Sequence, residues 1–283
     1  MKTIFYLIIT SLICITLVSA AQKTTESTKN VILQASDIKA TSQLLKQSAN
    51  VITDRLKSYG LETTVSILSD KSQIKIQLPY NVNVSEIEGL LTTKGDLDFY
   101  ETLTLTEINA LLKNKNHQEL FKIDSNVSPS DAKLGCSTFE NQEIVDTMEN
   151  CLKSINLLSD YKLLWGLQNS KSMSCLYALK INAPLVRSDI ETIKSSQDKN
   201  TQSFTIEIKF KPASAKKWAI TTKNSLGKPI AIVIDDKVFY TPVVKTPMEK
   251  GLCEITGNFT QEEVNYFLAL VNNELLQMEL ILK

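Results

Sequence analysis

The sequence predicts an α+β fold in which two β-α-β-β-α-β units flank an inserted subdomain. Two observations predict it. The same order of elements is legible at both ends of the chain, and the stretch between them differs in composition and periodicity. A third observation sets the scale: 283 residues can bury one large core or two smaller ones.

The N-terminus comes first. Lys2 is followed by an apolar run from Ile4 to Val18 and by Val18-Ser19-Ala20. A charged start, a short apolar stretch and a small-residue cleavage site predict an export signal over 1–20. A spanning helix needs about 20 apolar residues, so this shorter run predicts cleavage after Ala20 and an exported, periplasmic protein. A retained anchor is the alternative, and only that form would touch a membrane. Cys14 follows Ile13, where lipid attachment wants a small residue, so lipidation is not expected. Residues 21–29 are polar and uncapped, a tether.

The first unit covers 30–104. "NVILQA" (30–35) is a strand. Leu45, Ala49, Ile52, Leu56 and Tyr59 recur at helical spacing, and Gly60 ends that helix. "TTVSIL" (63–68) and "QIKIQL" (73–78) alternate around "SDKS" as a hairpin. Ser85 and Glu88 predict a capping box that opens a helix to about Thr93, and "DLDFYETL" (96–103) is the closing strand. This order is the split βαβ, or ferredoxin-like, arrangement.

The second unit, 203–283, repeats it. "SFTIEIKF" (203–210) is a strand, then a helix starts at Pro212 and Gly227 stands just beyond its end. "IAIVI" (230–234) and "VFYTPVV" (238–244) form a hairpin across Asp235-Asp236. "GLCEITG" (251–257) is an additional strand, Thr260 and Glu263 cap a helix to about Asn272, and "QMELIL" (277–282) closes the unit. The insert, 105–202, carries a helix from Thr106 to about Lys113, another from about Glu140 to Leu152, and strands at 161–167 and 174–181.

Composition excludes several functions. Lys plus Arg (31) equals Asp plus Glu (31), and no basic cluster interleaves with aromatics, so nucleic acid is not an expected partner. No glycine-rich phosphate loop is present, so no nucleotide or other small-molecule cofactor is expected. His117, the single histidine, sits in the polar "NKNHQ" and offers no metal set or catalytic base. Asp235 and Asp236 with Glu249 are carboxylates of a turn, not an acid–base pair, so no catalytic residue is assigned and no enzyme is expected. Trp165 is the candidate for contacting an extended peptide, whereas Trp218 lies on a helix with an apolar face and is assigned to the core.

After an export signal four cysteines remain, which allows two disulfides in three connectivities, with buried free thiols as the alternative. Cys253 alternates with Ile255 on the apolar face of its strand and is expected buried and unpaired. Cys136, Cys151 and Cys175 share the insert, where at most one bridge can form among them.

A resemblance can now be named. "ANVITDRLKSYGLETTVSILSDKSQIKIQLP" followed by "LLTTKGDLDFYET", and later "LGKPIAIVIDDKVFYTPVV" and "GLCEITGNFTQEEVNYFLALVNN", resemble the first periplasmic domain of the SecD family, the accessory subunit of the Sec translocon. In the insert, "KLLWGLQ" and "CLYALKINAPL" resemble the fused SecDF form. The positions that carry it are Arg55, Gly60, Leu78, Pro79, Phe99, Glu101 and Thr102 in the first unit. In the second they are Gly227, Pro229, Asp235, Asp236, Pro242, Gly251, Gly257 and Phe259. Two departures stand out. The family's G-L-D-L-x-G-G stretch is missing, and its D-G turn appears as Asp235-Asp236. With the sequence ending at Lys283, the resemblance leads us to expect the external module alone, without the family's membrane bundle. It implies a non-catalytic protein that binds polypeptide or assists export, in association with Sec components. A module that docks on one folded partner is the alternative.

Overall fold

An exchange of strands between the two ends of the chain defines the architecture. The computed structural model describes residues 27–37, 41–111, 130–137, 142–154, 159–167 and 173–283. The expected export signal, most of the tether, Cys14 and His117 lie outside the described residues. No helix among the described residues is long and apolar enough to cross a membrane.

The first unit follows the predicted order: β1 (Thr28–Ala35), α1 (Ser42–Tyr59), β2 (Thr64–Leu68), β3 (Gln73–Pro79), α2 (Val84–Thr92) and β4 (Leu97–Glu101). The stripe on α1 is buried at Leu45, Ala49, Ile52 and Leu56, with Thr41 accepting from the Leu44 N–H at its start. Gly60, at φ 105°, closes the helix by donating to the Leu56 and Lys57 carbonyls. The start of α2 differs from expectation. The helix begins at Val84, so Ser85 falls inside its first turn and Asn83 caps it instead, accepting from the Ser85 N–H.

The exchange concerns β4. The sheet that holds β1 runs β14-β1-β3-β2, and its outer strand is β14 (Leu280–Leu282) from the C-terminus, with Leu33 opposite Leu282. β4 instead joins a second sheet, ordered β12-β11-β4-β8, in which Phe99 faces Ile232. The other strands of that sheet are β8 (Leu185–Val186) and β11 (Ile230–Ile234), which flank β4, and β12 (Lys237–Tyr240), which pairs with β11. Burial explains the swap. All five residues of β11 are buried, so it needs cover on both faces and an apolar neighbour, which β4 supplies through Leu97, Phe99 and Tyr100. β14 is three residues long and leaves Ile281 half exposed, which suits an edge. The mixed α/β character therefore holds, whereas the pairing is one of exchanged strands rather than two separately closed ferredoxin-like units.

A third sheet, β13-β10-β9, comprises β9 (Ile190–Gln197), β10 (Phe204–Phe210) and β13 (Leu252–Gly257). Two more helices, α5 (Pro212–Asn224) and α6 (Gln261–Val271), complete the second half. The Thr260–Glu263 capping box forms at the start of α6. Trp218 of α5 is core, its ring 5.6 Å from Phe99 and 4.9 Å from Phe210. Its indole N–H donates to the Leu252 carbonyl at 3.2 Å, which satisfies the one polar group it buries.

The far face of the β4–β11 sheet carries a smaller core of Tyr100, Ala231, Val233 and Val238 against Cys175, Tyr177 and Leu179. The last three belong to β7 (Ser174–Lys180), the middle strand of a sheet with β5 (Lys133–Ser137) and β6 (Tyr161–Trp165). α3 (Leu105–Leu111) and α4 (Gln142–Ser154) lie in the same stretch of chain. So the insert shares its core with the base. Its C-terminal end is part of the base in packing: β8 pairs with β4, β9 pairs with β10, and Leu185 and Ile193 enter the main core. A boundary at 202 would cut through that sheet.

Cys136 and Cys175 stand opposite each other on β5 and β7 and are joined as a disulfide. The side chain of Cys151, on α4, lies outside the described residues. Cys253 is free and buried in the main core, where desolvation pushes its thiol up from the ordinary 9.0 to about 12. The folded state thus holds that proton more tightly than the unfolded chain. Its contribution is fully present below pH 9.0 and is lost as the pH rises toward about 12. Urea midpoints measured between those limits should fall for the natural protein, and Cys253→Ala should flatten the fall by about 1.4 kcal/mol per pH unit. Identical pH slopes for the two proteins would contradict this.

Candidate functional site

A cleft of about 490 Å³ opens where α1, α2, α6, β12 and the segment after β6 converge. Tyr59, the last residue of α1, meets Tyr266 of α6 edge to face at 6.4 Å. Tyr240 of β12 meets Phe259 the same way at 5.3 Å, and Phe239 is stacked on buried Phe267 at 4.7 Å. Leu167, two residues beyond β6, completes the apolar lining and is 49% exposed. Glu86, Glu262 and Glu263 line it too. Each residue has a local reason to be there. Glu86 and Glu263 lie in the first turns of α2 and α6, where carboxylates favour the helix dipole. Tyr266 packs on Gly89 so closely that a Cβ there would lie 1.9 Å from its hydroxyl oxygen. Burial raises the Tyr59 phenol above its ordinary range, and the nearby Glu262 and Glu86 carboxylates add to the rise.

Leu167 is held from both sides. Its N–H donates to the Val238 carbonyl at 3.0 Å, and the Gly166 N–H donates to the Cys175 carbonyl at 2.8 Å. Trp165, the residue singled out for peptide contact, is 9% exposed and lies in the buried set. The exposed member of that segment is Leu167, which lies beyond the end of β6 and outside the alternation of the strand. Of the cleft residues, the resemblance had marked Phe259 alone, as a structural position. Glu263 was legible only as a cap and Tyr59 only as part of a helical stripe.

The other family positions build the frame. Glu101 pairs with Lys180 at 2.6 Å, and the Pro229 carbonyl accepts from the Thr102 hydroxyl at 2.8 Å. The Pro242 carbonyl accepts from the Ile230 N–H, while Pro79 ends β3 opposite Thr28. Gly227 and Gly251 take positive φ, and Gly257 lies under the Phe259 ring. Asp235 and Asp236 occupy the two left-handed positions of the β11–β12 turn, at φ 47° and 61°. The Asp235 carboxylate accepts from the N–H groups of Gly95 and Asp96 at 2.7 and 2.8 Å, tying that turn to the α2–β4 loop. On the other side of the loop the buried Arg55 guanidinium donates to the carbonyls of Leu90, Thr93, Lys94 and Glu274.

Near this knot a second cleft, of about 580 Å³, is lined by Asp96, Asp98, Asp235 and Asp236 among others. Its four aspartates are occupied from within. Asp96 pairs with Lys94, Asp236 with Lys162, Asp98 accepts from the Tyr100 hydroxyl, and Asp235 holds backbone. No group of three or more His, Cys, Asp or Glu placed to hold a metal ion exists among the described residues. The carboxylates act as fasteners.

Comparison with known proteins adds a family. The model of the SecDF P1 head subdomain matches residues 166–277, a span that runs across residue 202 and includes Leu167, Phe239, Tyr240, Phe259 and Tyr266. Protein translocase subunit SecD of Calditerrivibrio nitroreducens is 27% identical over 222 residues, which is 77% of this chain and 36% of that protein. The SecD subunit of Rickettsia conorii is 32% identical over 214 residues, which is 72% of this chain and 40% of that protein. A solved structure described as SecDF in a super-membrane-facing form covers 89% of this chain and 29% of its own, at 19% identity and a TM-score of 0.49. The chain therefore spans well under half the length of these SecD relatives. The head-subdomain match and the SecD relatives along most of its length mark this chain as related to SecD, with the likeness lying in that family's periplasmic P1 domain.

Proposed function

We propose that this chain is an exported SecD-type domain that holds segments of unfolded polypeptide in the aromatic cleft and so assists protein export, in association with Sec components and without chemistry of its own. The observation that carries the reading is the cleft, an open apolar trough with one exposed leucine and several half-buried rings. Sites that take varied extended chains need such adaptable apolar surface more than precise polar contacts. The relatedness to SecD supports a role in translocation, and the engaged carboxylates of the second cleft speak against catalysis there. Binding to a permanently unfolded, carboxymethylated protein, read by fluorescence anisotropy, tests it. We expect micromolar affinity that falls about fivefold to tenfold in Leu167→Ser, the loss of roughly 1 kcal/mol at an exposed apolar contact. Leu167 is exposed, so this variant keeps its fold. Capture of one folded partner, with no affinity for unfolded chains, would replace this reading with that of a docking module.

A further inference from the structure

The aromatic cleft carries charge of one sign. Glu86, Glu262 and Glu263 line it, and no lysine or arginine among the described residues does. None of the three carboxylates forms an ion pair among the described residues. Two have a single local hydrogen bond each: Glu86 accepts from the Asn83 amide at 3.0 Å and Glu263 from the Thr260 N–H at 2.8 Å. Both keep acceptor capacity, because an ionised carboxylate has about four lone-pair sites. Between these carboxylates stand the rings of Tyr59, Tyr266, Tyr240 and Phe259, in two edge-to-face pairs.

Aromatic faces attract a cation through the ring quadrupole, and a carboxylate at the rim adds a directed partner for its N–H groups. The second cleft makes the contrast. Its four aspartates are bonded to Lys94, Lys162, the Tyr100 hydroxyl and backbone N–H groups, so their charge is answered inside the protein. In the aromatic cleft the charge faces an opening of about 490 Å³ and awaits a partner from outside.

We propose that the aromatic cleft selects extended polypeptide segments in which a lysine or arginine stands beside an apolar residue. The apolar residue packs against Leu167 and Phe239. The cationic stem runs along the tyrosine faces and its head reaches Glu262 and Glu86. This rests on the polypeptide-binding reading above and specifies which segments that reading prefers. The raised Tyr59 phenol is consistent with it, since the carboxylates that add to its shift hold negative potential beside the ring.

The test uses three synthetic extended peptides of equal length and apolar content. One has a central lysine, one norleucine and one glutamate, and each is titrated by calorimetry at low and moderate salt. The lysine peptide should bind the intact protein about fivefold to thirtyfold more tightly than the norleucine peptide, the range expected for a partly desolvated cation over aromatic faces. The glutamate peptide should bind most weakly. In a Glu86→Gln, Glu262→Gln double variant the lysine preference should shrink severalfold while norleucine binding stays unchanged. Both are exposed side chains, so the fold tolerates the change. Equal binding of the lysine and norleucine peptides overturns the selectivity and leaves polypeptide binding standing. Failure of all three peptides to bind removes both.

Discussion

Arg55→Met should lower the stability of the fold by about 4 kcal/mol, the largest effect expected of any single substitution considered for this protein. The guanidinium is fully buried, and desolvation pushes its pKa from 12.5 down to about 10, so burying it is costly even though it stays charged at neutral pH. Methionine would remove that cost and keep most of the stem. Against it stand the acceptors that would be orphaned. Nη1 donates to Thr93 at 2.7 Å and Leu90 at 3.3 Å, and Nη2 to Lys94 at 2.6 Å and Glu274 at 3.3 Å. An acceptor left without a donor costs about 1–3 kcal/mol, and three are at stake, Leu90, Thr93 and Glu274, since the Lys94 carbonyl also accepts from the Leu276 N–H at 3.1 Å, so the lost bonds outweigh the relieved desolvation.

The loop that Arg55 holds packs directly on it. Gly95 sits at φ 86°, and a Cβ there would lie 2.5 Å from the Arg55 Nη2, so loop and guanidinium are in direct contact. Arg187 donates to the Gly95 carbonyl at 2.8 Å and to the Asn273 carbonyl, but from the far side. Urea unfolding monitored by circular dichroism gives the measurement, with an accompanying fall in Tm of about 8–16 °C. Arg55→Lys should recover less than half of the loss, because an ammonium cannot present two donors to each of two directions as the planar fork does. A loss below 1 kcal/mol in Arg55→Met would mean the loop finds water as a substitute, and the account of this knot would fall.

Much of the fold was legible because periodicity and punctuation agree at most elements. The α1 stripe, the Gly60 cap and the Thr260–Glu263 box are each a local signal with one structural meaning. Pairing was less legible. Element order says which segments are strands, but the identity of neighbours depends on which strands need two covered faces, a property of the whole assembly. β11 and β4 answer that need for each other, and β14 is left for β1. β9 escaped notice for a different reason. Its sequence, "IETIKSSQ", ends in four exposed residues, so its alternation fades just where a strand would be recognised.

The candidate site was harder still. Its residues come from Tyr59, Glu86, Leu167, Phe239 and the stretch from Phe259 to Tyr266, so no window of sequence contains it. Trp165 drew attention as the large aromatic of the insert, yet the residue two places on faces the cleft while the indole turns inward. Size favours burial here as it does in most cores. A glycine was the quiet signal: Gly89 leaves the room that Tyr266 occupies, and nothing in its neighbourhood of sequence points to a tyrosine so far along the chain.

Removing the Cys136–Cys175 bridge, by reduction or as the Cys136→Ala, Cys175→Ala double variant, should weaken the insert by about 4 kcal/mol while the main core keeps its stability. The bridge closes a sequence separation of 39, for which loop-closure entropy alone gives that magnitude. The loss should be uneven. Among the described residues β5 is an edge strand with β7 as its neighbour in that sheet, so without the bridge it should open first. β7 has other holds. Leu103 donates to the Ala178 carbonyl at 2.9 Å, Thr102 bridges to Leu179, and Tyr177 and Leu179 stay in the smaller core. Hydrogen exchange should therefore quicken about a thousandfold at β5, the equivalent of that free energy. At the Gly166 and Leu167 amides it should quicken only about tenfold, and at Ile206 and Ile208 of the main core not at all. Because Gly166 hangs from the Cys175 carbonyl, the same change should loosen Leu167 at the cleft and weaken binding of unfolded polypeptide severalfold. Equal quickening at β5 and at Ile206 would show that the insert and the core unfold as one unit, and an unchanged affinity would show that Leu167 is held by Val238 alone.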